Sequence, residues 1–154
     1  MNSYKSNLLI FFLFLLSVFT FYSCTYTSDE DCDIPYSYVS GTIYLNYYSE
    51  LNSVGNAVYF DEIGTSDGYN GHGYIVIRTS TSEFEVYDAS CTNDNDEDDD
   101  HLEIYGTYVE CPTCGSKFSI LTGGWPFDDS EATCGLKAYS ATYSSSKNTL
   151  TVRN

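Results

Sequence analysis

Basic side chains are scarce. The 154-residue chain carries six Lys and Arg against 22 Asp and Glu, a formal net charge of −16. That balance argues against a nucleic-acid partner, because phosphate binding needs clustered Lys and Arg. It argues equally against docking on an anionic lipid surface by charge. No nucleophile–base pair and no glycine-rich cofactor loop is visible, so no enzymatic role is expected. A second C-x-x-C is missing, which leaves only one ready-made pair of thiolates for a four-ligand zinc site. Sustained 3.6-residue apolar periodicity is absent as well, so the chain offers little to a helical fold.

One long apolar run is present, at the start. Leu8 to Tyr22 is apolar except for Ser17, Thr20 and the Tyr22 phenol, and Lys5 is the only charge ahead of it. Its length suits the core of a signal peptide and falls short of a membrane span. It runs into Phe21-Tyr22-Ser23-Cys24, which resembles a bacterial lipoprotein cleavage box with Phe21 in place of the usual Leu. Residues 1–23 therefore read as a lipoprotein signal peptide, with Cys24 as the lipid attachment point. An ordinary secretory peptide cut nearby, or an uncleaved anchor, is the alternative. The expected location is the bacterial cell envelope, anchored in the outer membrane through the lipid and facing either the periplasm or the outside. Residues 24–35, with Asp29, Glu30, Asp31 and Asp33, read as an acidic tether. Residues 36–154 are enough for one domain with a core.

From Tyr36 onward the pattern is β. Strands are expected over 38–47, 57–60, 73–79, 83–87, 102–105, 108–110, 117–120, 136–142 and 149–152. Alternation shows in Ile75-Val76-Ile77 with its polar flanks and in Phe84-Glu85-Val86. Gly-, Ser-, Asn- and Asp-rich stretches such as 64–73 and 144–148 connect them. Many short strands without helices predict an all-β sandwich or barrel. Trp125, Tyr44, Tyr87 and Tyr139 are expected as core or rim aromatics rather than a ligand platform.

The informative stretch is Cys91 to Tyr139. Cys91 and Asn93 precede Cys111-Pro112-Thr113-Cys114-Gly115-Ser116-Lys117-Phe118, giving C-x-N-x17-C-x-x-C-G-S-x-F. This resembles the Rieske [2Fe–2S] motif, C-x-H, a loop of comparable length, then C-x-x-H-G-x-x-F. The spacings agree, but Asn93 and Cys114 stand where the two His ligands belong. The resemblance extends over residues 73–152. It takes in the strands before Cys91, the Phe118–Gly124 strand and turn, Pro126, and the closing Leu136-Lys137-Ala138-Tyr139. The mature chain also resembles small envelope lipoproteins with a Rieske-type domain. The resemblance implies an all-β, Rieske-like antiparallel sandwich or barrel with a small two-loop cluster-binding subdomain. Cys91, Cys111 and Cys114, with Asn93, are its degenerate metal positions.

Several chemistries compete at these cysteines. Asn93 is a poor iron ligand, and a third thiolate adds negative charge to an already acidic protein; both disfavour a reduced [2Fe–2S] cluster. His101 lies in the intervening loop and could supply a ligand. Cys111-Pro112-Thr113-Cys114-Gly115 also reads as a zinc knuckle, with Cys91 as third ligand and Cys134 or His101 as fourth. Dithiol exchange needs a C-x-x-C at a helix N-terminus, which is not expected here. In an oxidising compartment, neighbouring thiols form disulfides, which stabilise by about 2–4 kcal/mol. The expected state is accordingly cofactor-free, with a disulfide drawn from Cys91, Cys111, Cys114 and Cys134, and Cys32 as a further partner for Cys134. A [2Fe–2S] cluster or zinc is the alternative. The expected role is a cluster-free binding or structural module of the envelope, with electron transfer as the alternative. The acidic run 94–100 begins like a calcium loop. It has Asp99 and Tyr105 where that motif needs Gly and Glu, so a solvated tip is expected.

Overall fold

The segment Tyr74-Ile75-Val76-Ile77 is fully buried on both faces, and the fold is arranged around it. In the computed structural model, which describes residues 34–94 and 101–154, this segment lies in strand β3 (Tyr74–Arg78). Residues 1–33, on which the expected signal peptide, Cys24, Cys32 and most of the expected tether fall, and residues 95–100 of the acidic run lie outside the described residues.

The other strands are β1 (Ser40–Tyr44), β2 (Ala57–Phe60), β4 (Phe84–Asp88), β5 (Glu103–Tyr105), β6 (Tyr108–Glu110), β7 (Lys117–Ser119), β8 (Trp125–Pro126), β9 (Ala138–Ser144) and β10 (Thr149–Arg153). Six form one sheet in the order β1-β10-β9-β4-β3-β2, and four form a smaller one in the order β5-β6-β7-β8. Every pairing is antiparallel. The described residues form no α-helix, only short 3-10 turns. The expected all-β antiparallel architecture is therefore present, with a larger sheet and a smaller one.

Period-2 alternation of side chains explains how β3 serves two cores. Tyr74 and Val76 enter the first, with Val39, Ile43, Phe60, Val86, Leu150 and Val152. Ile75 and Ile77 enter the second, between the larger sheet and the small one, with Tyr87, Val109, Phe118 and Ile120. β4 is split in the same way: Phe84 and Val86 face one core and Tyr87 the other. The second core also contains Cys91, Cys111 and Ala89, so the apolar layer beneath the small sheet ends at the two loops.

Two expectations shift. The strand expected over 38–47 stops at Tyr44, and the chain continues as 3-10 turns at Leu45–Tyr47 and Ser49–Asn52. These turns bury both Leu45 and Leu51 in the first core while Tyr44 and Tyr47 face solvent, which a straight strand could not do. β8 was not expected. It is a two-residue edge strand, and an edge is where Pro126 is tolerated. Tyr87 and Tyr139 are core aromatics, whereas Trp125 and Tyr44 are exposed on the rim.

Candidate metal centre

Two loops converge at one end of the small sheet. The first leaves β4 through Ala89 and Ser90 and presents Cys91. The second is the β6–β7 hairpin, closed by the Glu110–Lys117 pair, which presents Cys111 and Cys114. Within that hairpin the Cys111 amide donates to the Ser116 carbonyl (2.8 Å) and the Gly115 amide to the Cys111 carbonyl (2.9 Å). Gly115 follows the second cysteine at φ +73°, a left-handed conformation that glycine adopts without cost. Lys117 pairs with Glu110 across the base at 3.8 Å.

Backbone amides point at the sulfurs. Asn93 and Asp94 donate to Cys91, Thr113 and Cys114 donate to Cys111, and Ser116 donates to Cys114. Cys91 and Cys111 thus each head a turn whose amides two and three residues later face the sulfur. Burial pushes the Cys91 and Cys111 thiols above their usual range, and these amides oppose it. At Cys114, burial pushes up, but the Ser116 hydroxyl and amide, the Asn93 carboxamide and Cys111 outweigh it and lower the thiol. Cys114 Sγ lies 3.7 Å from Cys91 Sγ and 3.1 Å from Ser116 Oγ. Cys91 and Cys111 are buried, Cys114 is partly exposed and Asn93 is exposed, so the site opens to solvent on the Asn93–Cys114 side.

Cys91, Cys111 and Cys114 are all free thiols, and their sulfurs lie within 4.8 Å of one another. Cys134 is disulfide-bonded. Its carbonyl accepts from Thr92 Oγ1 at 3.0 Å, which ties its segment to the first loop. The expectation of no cofactor is corrected here. Three unbridged thiols at ligand spacing form a group that can hold a metal ion, because the same proximity that permits a disulfide also assembles a coordination shell.

The Rieske ligand set itself does not fit. Its second iron requires two imidazoles, and neither described His is placed among the sulfurs. The His101 ring is stacked on Tyr59, 4.0 Å between centroids. His72 is buried, with Nδ1 2.9 Å from Ser90 Oγ and Nε2 without a hydrogen-bond partner.

Behind the first loop lies a polar clamp that pattern reading missed. Asp88 is fully buried. Its Oδ1 accepts from the Ser90 amide (3.1 Å) and Ser90 Oγ (2.6 Å), and its Oδ2 accepts from the Tyr69 amide (2.9 Å) and Tyr139 Oη (2.9 Å). With its one proton given to Asp88, Ser90 Oγ accepts from His72 Nδ1–H. The carboxylate thus fixes the backbone immediately before Cys91. The late Tyr139 was the only visible sign of it.

No family model matches the sequence, and no curated protein matches it. Among solved structures the chain is similar to the Sphingomonas yanoikuyae B1 ferredoxin, at 19% identity over 77% of this chain and 99% of that one, with a TM-score of 0.45. It is similar also to the ferredoxin of carbazole 1,9a-dioxygenase from Nocardioides aromaticivorans IC177, at 15% identity over 78% and 98% of the two chains, TM-score 0.44. A third is a chain of the complex of reduced oxygenase and oxidized ferredoxin in carbazole 1,9a-dioxygenase, at 17% identity over 77% and 92%, TM-score 0.44.

Proposed function

We propose that this chain is a Rieske-like lipoprotein of the bacterial cell envelope whose two loops hold a thiolate-ligated metal centre, and that it works as an electron carrier rather than an enzyme. The observation that carries the reading is the trio of free thiols of Cys91, Cys111 and Cys114 at ligand spacing. Amides directed at the sulfurs support it, since hydrogen bonds to ligating sulfur stabilise thiolates and tune the potential of the metal they hold. The resemblance of the loop motifs to Rieske loops supports electron transfer. The apolar run ending at Ser23-Cys24 supports the lipid anchor. The second reading is structural zinc, favoured by the knuckle geometry around Cys111 and Cys114.

The test is to purify the full chain anaerobically from the membrane fraction, measure its metal content and titrate it electrochemically. A stoichiometric iron centre with a reversible one-electron couple, lost in Cys114→Ser, is expected. Zinc without a couple favours the second reading, and metal-free protein with three titratable thiols overturns both. Mass spectrometry of the same sample should find an acylated N-terminus at Cys24; a mature end elsewhere removes the anchor.

A further inference from the structure

We infer that the site is built for a single tetrahedral divalent ion, held by the three thiolates of Cys91, Cys111 and Cys114 with a solvent molecule at the fourth corner, instead of a two-iron cluster. This rests on the metal-centre reading above and concerns how many ions the site takes.

Sulfur spacing is the first argument. Metal–sulfur bonds of about 2.3 Å give sulfur–sulfur edges of about 3.8 Å in a tetrahedron. Cys91 Sγ and Cys114 Sγ are 3.7 Å apart, and all three sulfurs lie within 4.8 Å. In the Rieske pattern, Cys91 and Cys111 occupy the positions that ligate one iron, while positions 93 and 114 ligate the other. Bridging sulfides hold ligands of different irons well apart. Here the residues at positions 91 and 114 sit one tetrahedral edge apart, so they share one centre.

Ligand identity is the second. The His→Cys change at position 114 converts the outer ligand to the type of the inner two. The change at position 93 removes the remaining imidazole. The Asn93 carboxamide donates to the Cys114 sulfur, which directs its N–H group toward the ligand and not its oxygen toward an ion. Asn93 is exposed, so the fourth corner faces water. Each thiol that binds gives its proton to solvent, and three thiolates around a divalent ion carry a net charge of −1. The amides facing the three sulfurs offset that charge.

The experiment loads the full-length chain in detergent under anaerobic conditions, with the Cys134 disulfide intact. Three arms receive ferrous iron alone, ferrous iron with excess sulfide, and zinc. Metal and acid-labile sulfide are counted per chain, and cobalt substitution reports the geometry by its ligand-field bands. One ion per chain in every arm, no labile sulfide in the second, and tetrahedral cobalt bands are expected. Asn93→Ala should keep one ion per chain and weaken binding by about 10- to 100-fold, the effect of losing a group that touches the ligand and not the ion. Two irons and two sulfides per chain would overturn the single-ion inference and leave the metal-centre function standing. No bound metal in any arm would overturn both.

Discussion

Replacing Asp88 by Asn changes almost nothing in shape and should nevertheless cost a large part of the domain's stability. Each carboxylate oxygen accepts two hydrogen bonds, from the Ser90 amide and hydroxyl on one side and from the Tyr69 amide and Tyr139 hydroxyl on the other. Asn offers one oxygen and one NH2 group, so whichever way it is placed, two of these donors meet a donor. The amide among them cannot turn away. The hydroxyl can, since the Tyr69 carbonyl lies 3.2 Å from Ser90 Oγ, so the loss is that of one buried amide left unsatisfied, about 1–3 kcal/mol. Set against a total of about 5–15 kcal/mol for a domain, that is a severe loss. With a urea slope of about 2 kcal/mol/M, the unfolding midpoint of the metal-free protein should fall by about 0.5–1.5 M at unchanged slope. The exposed Asp128→Asn serves as control and should stay within about 0.5 kcal/mol. Metal affinity should fall with the midpoint, because Ser90 directly precedes Cys91. A midpoint within about 0.3 M of the parent would mean that the clamp does not hold the loop.

Two further outcomes are expected. Gly115→Ala should cost about 1–2 kcal/mol from its left-handed backbone alone, because no atom lies within 4 Å of the added methyl group. Gly73→Ala should cost clearly more, since its methyl would lie 2.5 Å from the Phe60 carbonyl oxygen and 2.7 Å from Tyr59 Oη. Urea unfolding of both compares them, and equal losses would contradict the close approach of β2 to the start of β3. In the metal-free chain, Cys114 should react with iodoacetamide well before Cys91 and Cys111. It is partly exposed and its thiol is lowered, while the other two are buried and raised. Lowering the pH should therefore silence the buried pair first and Cys114 last. Peptide mass mapping reads the order, and equal labelling of the three would refute it.

The strands were legible because alternation and turn residues are local signals, and the spans of β2 and β6 agree with the pattern to the residue. The bend at Leu45 was not, because burying Leu51 depends on where the first core lies. Double burial of β3 was hidden for the same reason: Tyr74-Ile75-Val76-Ile77 reads as a strand but does not say how many layers cover it. At the site, the motif spacing placed three cysteines on two loops. Their chemistry was harder to read. The absence of imidazoles at the motif positions pointed to an empty site, whereas Cys114, standing at one of those positions, adds a thiolate beside two others. Asp88-Ala89-Ser90 carried no pattern at all. Its meaning depends on Tyr69, His72 and Tyr139, which are remote in sequence.

Because β3 contributes alternate residues to both cores, neither layer can melt while the other keeps its packing. The two sheets should unfold in one cooperative transition. The amides of β3, hydrogen-bonded to β2 on one side and β4 on the other, should exchange with deuterium only through that global opening. An ion bound at the tip of the small sheet would then slow exchange along the whole of β3, including residues that face away from the loops. Occupancy at the cysteines of the two loops would be readable at the most protected strand of the protein.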